Sequence, residues 1–188
     1  MRKIIVSEMI SLDGFFAGKD GNINWHVVEK DFNEAATKLL NEVDTILFGR
    51  ITYDLFESYW PAAEKDPKTF EDDLVIAKKI NEMKKIVFSK SLKQVGWNNV
   101  ELKPEITVAE IESLKRGPGK DIVVYGSGTI VQKLTELGLV DEYRLFVAPV
   151  FLGEGKLLLN HLNNNLKLKL TNNTAFSSGV EALRYVPL

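Results

Sequence analysis

Cysteine is absent from the 188-residue chain. That removes disulfide scaffolds, thiol nucleophiles, iron–sulfur clusters and cysteine-ligated zinc. Histidine is scarce: His26 and His161 stand far apart with no companion ligand pattern, so no metal site is expected. Charge of one sign is lacking as well. The 24 Lys and Arg against 26 Asp and Glu leave a net charge of −2, with acids and bases interspersed, so no footprint for nucleic acid or an anionic membrane is expected. Long apolar runs are missing: residues 1–6 are too short a run for a signal peptide, and no stretch suffices to span a bilayer. A cytoplasmic location is the resulting expectation. The composition that remains, 45% hydrophobic and 27% charged, is that of a globular protein. The length fits a single domain over residues 1–188.

The most informative stretch is 121–138. Residues 122–125 form a short apolar, β-branched run, which reads as a buried strand. Gly126-Ser127-Gly128 breaks it. Ile130, Leu134 and Leu137 follow at helical spacing, and Gly138 stands where helices commonly stop. Strand, glycine turn and helix aim backbone N–H groups and a positive helix end at an anion such as a cofactor phosphate. The alternative is a tight turn whose glycines serve geometry alone.

Taken in order, residues 4–10 read as a first, central strand, followed by a long glycine-bearing loop over 11–22 that Trp25 closes. Phe32, Ala35, Ala36, Leu39, Leu40 and Val43 recur at helical spacing. A second strand is expected over 45–48, then a helix with Leu55, Phe56, Tyr59 and Trp60 on one face, ended by Pro61. A helix over 69–81, with Phe70 inward, leads to a third strand over 85–88. A short helix starts near Thr107, with Glu110 three residues on. After Gly138 only strands are expected: 143–150, the strictly alternating 166–170 with one wet face, and its partner over 179–186. Alternating strand and helix, then strands alone, give an α/β class: a mostly parallel central sheet flanked by helices, with a C-terminal antiparallel strand pair.

Three of these strands end in small-polar or basic turns: Gly49-Arg50-Ile51-Thr52, Ser89-Lys90-Ser91 and Gly126-Ser127-Gly128-Thr129. Ligands of open α/β sheets sit outside the carboxyl ends of strands. Two cations, several hydroxyls and turn N–H groups suit a ligand with more than one phosphate. Arg50 alone reads equally well as a surface cation. Gly126-Ser127-Gly128 lacks the third glycine of the dinucleotide fingerprint, and Gly117-Pro118-Gly119-Lys120 precedes a strand instead of following one, so neither standard nucleotide motif applies. Asp13 could orient substrate or water for proton delivery, or hold the turn before Gly14. Trp25, Tyr53, Tyr59 and Trp60 could line a flat pocket or pack in the core.

Beyond these physical readings, the chain resembles the dihydrofolate reductase-like family. The likeness is strongest to the branch related to the reductase domain of the bifunctional riboflavin-biosynthesis deaminase–reductase. The resemblance rests on Ser11-Leu12-Asp13-Gly14 with Ala17-Gly18, on Trp25, and on Gly49-Arg50-Ile51-Thr52-Tyr53. It continues in Val87-Phe88-Ser89, Tyr125-Gly126-Ser127-Gly128-Thr129, the 138–142 block and the 149–155 block. It implies that fold and an oxidoreductase using NADPH to reduce a small pteridine-, pyrimidine- or flavin-precursor-like molecule. It assigns Gly49, Arg50, Thr52, Ser89, Lys90 and Ser91 to the adenosine 2′-phosphate and pyrophosphate. Gly126, Ser127, Gly128, Thr129 and Ile130 fall to the pyrophosphate and ribose, and Ala17 to the nicotinamide side. Asp13 is the catalytic candidate; Trp25, Glu29 and Tyr53 are the substrate-pocket candidates. A true dihydrofolate reductase is not expected, because Lys30 occupies the position of the usual pterin-binding carboxylate. A deaminase half is not expected, since its cysteine ligands are lacking. The alternating 166–170 strand is a candidate dimer edge, so a homodimer is expected. The competing class is a non-catalytic nucleotide-binding or scaffold protein that retains the fold.

Overall fold

The computed structural model describes residues 1–66, 68, 73–160 and 162–188. Its centre is β1 (Ile4–Ser11), where Ile4, Ile5 and Val6 are wholly buried. The strand has no wet face because helices cover both sides of the sheet. Ile4 and Val6 pack with Ile111 and with Ile130, Val131 and Leu134, whereas Ile5 packs with Leu39, Leu40, Tyr53, Ile76 and Ile80. The period-two alternation of β1 therefore separates two core layers.

The other elements follow in order. They are β2 (Phe15–Ala17), α1 (Lys30–Glu42), β3 (Val43–Gly49), α2 (Arg50–Lys65), α3 (Leu74–Glu82), β4 (Lys84–Phe88) and β5 (Val100–Lys103). Then come α4 (Val108–Arg116), β6 (Asp121–Tyr125), α5 (Gly128–Glu136), β7 (Glu142–Ala148), β8 (Lys156–Leu157), β9 (Leu168–Ala175) and β10 (Glu181–Pro187). Eight strands form one sheet in the order β5-β4-β3-β6-β1-β7-β10-β9. Neighbours from β5 to β7 pair in parallel, and β10 runs antiparallel to both β7 and β9. This is the expected α/β class with a C-terminal antiparallel pair. The predicted cap of α4 is present, with Thr107 Oγ1 accepting the Glu110 N–H at 3.2 Å.

Several expectations are corrected. The loop over 11–22 contains β2, which pairs with β8 across the chain; a partner so distant leaves no local signal. The edge strand β5 also lacks a distinctive pattern. Val43 belongs to β3, not to the preceding helix. Pro61 does not end α2, which runs on to Lys65. Proline removes one helical N–H, but the last turn is anchored elsewhere: Ala63 is fully buried, and Asn81 Nδ2 donates to Trp60 O at 3.0 Å and to Glu64 Oε2 at 2.6 Å. Among the described residues α3 begins at Leu74; Thr69 and Phe70, expected in its first turns, lie outside them, as does His161. Strand β9 shows no dry face in the isolated chain, with Leu170 47% exposed. Among the described residues no helix is long and apolar enough to cross a membrane.

Candidate active site

Adjacent strands β3 and β6 run in parallel and stop at Gly49 and Tyr125, and a helix starts at once from each. Gly49 is the N-cap of α2 and Ser127 that of α5, and neither helix is capped by a side chain. The Ser127 hydroxyl is occupied differently: its Oγ accepts the Gly49 N–H at 2.7 Å and donates to Thr52 Oγ1 at 2.8 Å. One side chain thus locks the two turns together and leaves both positive helix ends open.

The glycine turn is dictated by geometry. Gly126 and Ser127 both have left-handed backbones, at φ 56° and 60°. A Cβ on Gly126 would also lie 2.7 Å from Thr52 Cγ2 and Oγ1, so both conformation and space select glycine there.

A cleft of about 1620 Å³ opens at this edge of the sheet. It brings together Ala17, Gly49, Arg50, Thr52, Gly126, Ser127, Gly128 and Thr129 of the predicted cofactor residues. Arg50 keeps its guanidinium half in solvent, 3.1 Å from Asp54. The third strand-end turn stands apart. Ser89 and Lys90 line a second depression of about 400 Å³ beyond β4, together with Lys93 and Lys103. Ser89 Oγ accepts the N–H groups of Ser91 and Leu92 at 3.3 and 3.0 Å, and Lys90 lies 3.6 Å from Glu105. Ser91 lines neither space. Ile130 does not line the cleft either; it is a core residue against Val131 and Leu134.

The substrate-pocket candidates Trp25, Glu29 and Tyr53 are not among the residues that line the cleft. Glu29 is an exposed residue at the N-cap of α1, outside the cleft. Tyr53 is 1% exposed and belongs to the core; its hydroxyl donates to Glu57 Oε1 at 2.6 Å, and burial and that carboxylate push its pKa up to about 12. Trp25 packs edge-on against His26 at 4.5 Å and is not a lining residue. The apolar wall is built instead by Phe32, Ala36 and Leu40 of α1, Leu55, Phe56, Tyr59 and Trp60 of α2, and Ile76 and Ile80 of α3. Asp13 takes the structural role. Its carboxylate accepts from Ser11 Oγ at 2.6 Å and from the N–H groups of Gly153 and Leu152 at 2.8 and 3.2 Å. These bonds, the Ser11 hydroxyl foremost, lower its pKa, so it ties β1 to the 149–153 loop as an ionised acceptor.

Three polar residues of the cleft are absent from the expected site: Glu8, Asn33 and His26, the last weighed only as a metal ligand. Glu8 on β1 is only 7% exposed; burial raises its pKa well above the ordinary 4.5, against a weaker opposing hydrogen bond from the Gly126 backbone. The sequence carries a signal: an acid in the middle of a mostly apolar central strand is rare. His26, whose pKa burial lowers, and Asn33 carry no such pattern. Glu8 Oε1, His26 Nε2 and Asn33 Oδ1 are all buried and without a partner among the described residues, and all three residues line the cleft.

A mostly parallel sheet finished by an antiparallel strand pair, with a large cleft at its carboxyl edge, places the protein in the dihydrofolate reductase-like fold class. Residues 2–182 match the family of the RibD C-terminal domain, and the chain belongs to that family. Among curated relatives it is 39% identical to uncharacterized protein YyaP of Bacillus subtilis (strain 168), over 98% of this chain and 94% of that one. A protein of Shewanella sp. PV-4 ascribed to riboflavin biosynthesis superposes with a TM-score of 0.76 at 22% identity, covering 99% of each chain. The diaminohydroxyphosphoribosylaminopyrimidine deaminase/5-amino-6-(5-phosphoribosylamino)uracil reductase of Thermotoga maritima superposes with a TM-score of 0.66 at 17% identity; this chain is covered entirely and spans 57% of that one.

Proposed function

We propose that the protein is an NADPH-dependent reductase acting on a small pteridine-, pyrimidine- or flavin-precursor-like molecule. The observation that carries this reading is the pair of helix N-termini, α2 and α5, that begin side by side without side-chain caps and open on one cleft beside Arg50. Two such ends suit a pyrophosphate. Gly49, Thr52 and the 126–129 turn would hold it, with Arg50 beside them; Ser89 and Lys90, which line the neighbouring depression, would take a further phosphate. Bound NADPH would supply a hydride. The chain's own contribution is to hold a flat substrate against the aromatic wall of Phe56, Tyr59 and Trp60 and to keep water from the reacting atoms. The test is incubation with deuterated NADPH and a panel of pterins and aminopyrimidines, following the label by mass spectrometry. Deuterium in a product supports the reading. NADPH consumed by none of them contradicts it and favours a non-catalytic nucleotide-binding protein.

The reading includes a homodimer joined through β9, whose exposed Leu170 and neighbouring Leu166 a second copy would cover. A monomer mass by light scattering at micromolar concentration contradicts it.

A further inference from the structure

Glu8 is an unusual residue to find where it is. The middle of β1 is bonded on both sides, with Ser7 opposite Tyr125 of β6 and Glu8 opposite Leu145 of β7. Its carboxyl hydrogen-bonds with the Gly126 backbone, so it touches the same turn that starts α5. The Oε1 atom, buried and without a partner among the described residues, belongs to a side chain that lines the cleft. A carboxyl needed only to steady Gly126 would not leave an open oxygen at that place, since an unsatisfied buried polar atom is costly.

We propose that Glu8 is the acid that meets the substrate: its open carboxyl oxygen contacts a nitrogen heterocycle and delivers a proton to the nitrogen of a C=N bond. The proposal rests on the reductase reading above. In the step, a hydride from the reduced nicotinamide brings the electron pair of the new C–H bond to carbon. The π pair of C=N becomes the new N–H bond, using the Glu8 proton. The nucleotide is left oxidised and Glu8 ionised, and the carboxylate recovers a proton from water once the product leaves.

The surroundings are suited to this. Among the described residues no cation acts on Glu8 to hold it ionised, and burial favours its neutral, proton-bearing form. Burial pushes the Tyr125 phenol on β6 up, against a weaker pull from Arg144, and it therefore stays neutral. Arg144 on β7 is committed elsewhere, at 2.6 Å from both Glu42 and Glu142. His26 is kept neutral by burial; with the Phe16 backbone bonded to the ring and Nε2 open, the free nitrogen is an acceptor. Asn33 Oδ1 is a second acceptor. Two open acceptors in the same cleft as an acid suit a heterocycle that carries N–H or amino donors as well as a basic ring nitrogen.

The test compares the intact protein with Glu8→Gln, an isosteric change that keeps an acceptor for Gly126. Cytosine serves as probe, since it carries an amino group, a ring N–H and a basic ring nitrogen. Infrared difference spectra at pH 7 are expected to show a protonated carboxyl band in the unaltered protein that Glu8→Gln lacks. Cytosine binding, read by tryptophan fluorescence, is expected to weaken at least tenfold in Glu8→Gln, while NADPH affinity stays within twofold. An identical carboxyl band in both proteins, or equal cytosine affinity, overturns the role of Glu8. NADPH failing to bind the unaltered protein overturns the reductase reading and the proton delivery with it, a result distinct from the loss of cytosine binding. Should Glu8→Gln not fold, the pH titration of the band in the unaltered protein decides: no protonated carboxyl at pH 7 overturns the proposal.

Discussion

Replacing Ser127 by alanine removes the single hydroxyl that joins the two strand-end turns. The Gly49 N–H is buried and loses its acceptor at 2.7 Å, and Thr52 loses a donor at 2.8 Å. An orphaned buried N–H costs about 1–3 kcal/mol and an ordinary side-chain hydrogen bond adds about 1. Serine and alanine pay the same backbone strain at φ 60°, so that contribution cancels. The expected loss is about 2–4 kcal/mol, which in a domain of this size lowers Tm by roughly 5–10 °C. Ser127→Gly removes the same hydroxyl but relieves the left-handed backbone. It is therefore expected to be no less stable than Ser127→Ala. Urea titrations of the three proteins, with NADPH affinity measured alongside, test this. A loss under about 0.5 kcal/mol for Ser127→Ala, or a glycine variant clearly weaker than the alanine one, would refute the idea that Ser127 locks the turns.

Other outcomes follow from the same structure. Gly126→Ala places a Cβ 2.7 Å from Thr52 at a positive φ, so it is expected to cost about 2 kcal/mol or more and to weaken nucleotide binding; wild-type stability and affinity would sink that claim. Lys85 is fully buried, donating to Asn81 O and Met83 O at 2.8 Å each and sitting 4.3 Å from the Trp97 ring centroid. Lys85→Met strands those carbonyls, and its urea midpoint should fall by the equivalent of about 3 kcal/mol. Asp13→Asn weakens acceptors for Ser11, Leu152 and Gly153, so hydrogen exchange in the 149–153 loop should accelerate; unchanged protection contradicts the turn-holding role. For Glu8, whose folded pKa lies above the unfolded 4.5, the native state keeps a proton that the unfolded chain releases. Its contribution is complete below 4.5 and is lost as pH rises through the folded value, with a slope of at most about 1.4 kcal/mol per pH unit. Glu8→Gln should flatten that part of the stability–pH curve.

What the sequence disclosed and what it hid divide along physical lines. Strand β6, its glycine turn and α5 were legible because each is a local pattern: β-branched run, glycines, helical period. The same holds for β1, α1 and the Thr107 cap. The pairing of β2 with β8 was not legible, because three residues and two residues meet from opposite ends of the chain. Pro61 misled because Asn81 and the burial of Ala63 hold the turn that proline weakens locally. Tyr53 and Tyr59 sit on one helix, yet one is core and the other cleft; aromatic spacing alone does not tell a core stripe from a pocket wall. Glu29 and Trp25 were placed by resemblance, and the rotation of α1 puts Asn33, not Glu29, at the cleft. Glu8 is visible as a charge in a central strand, but no local pattern separates an unpartnered carboxyl from one paired elsewhere in the fold.

The most direct measurement is titration with NADPH, following tryptophan fluorescence, with NADH in parallel and Arg50→Ala as the variant. Trp60 lines the cleft and reports on its occupancy. The account predicts saturable quenching, tighter for NADPH than for NADH and weakened in Arg50→Ala. Binding of neither nucleotide would contradict the cofactor site while leaving the fold untouched.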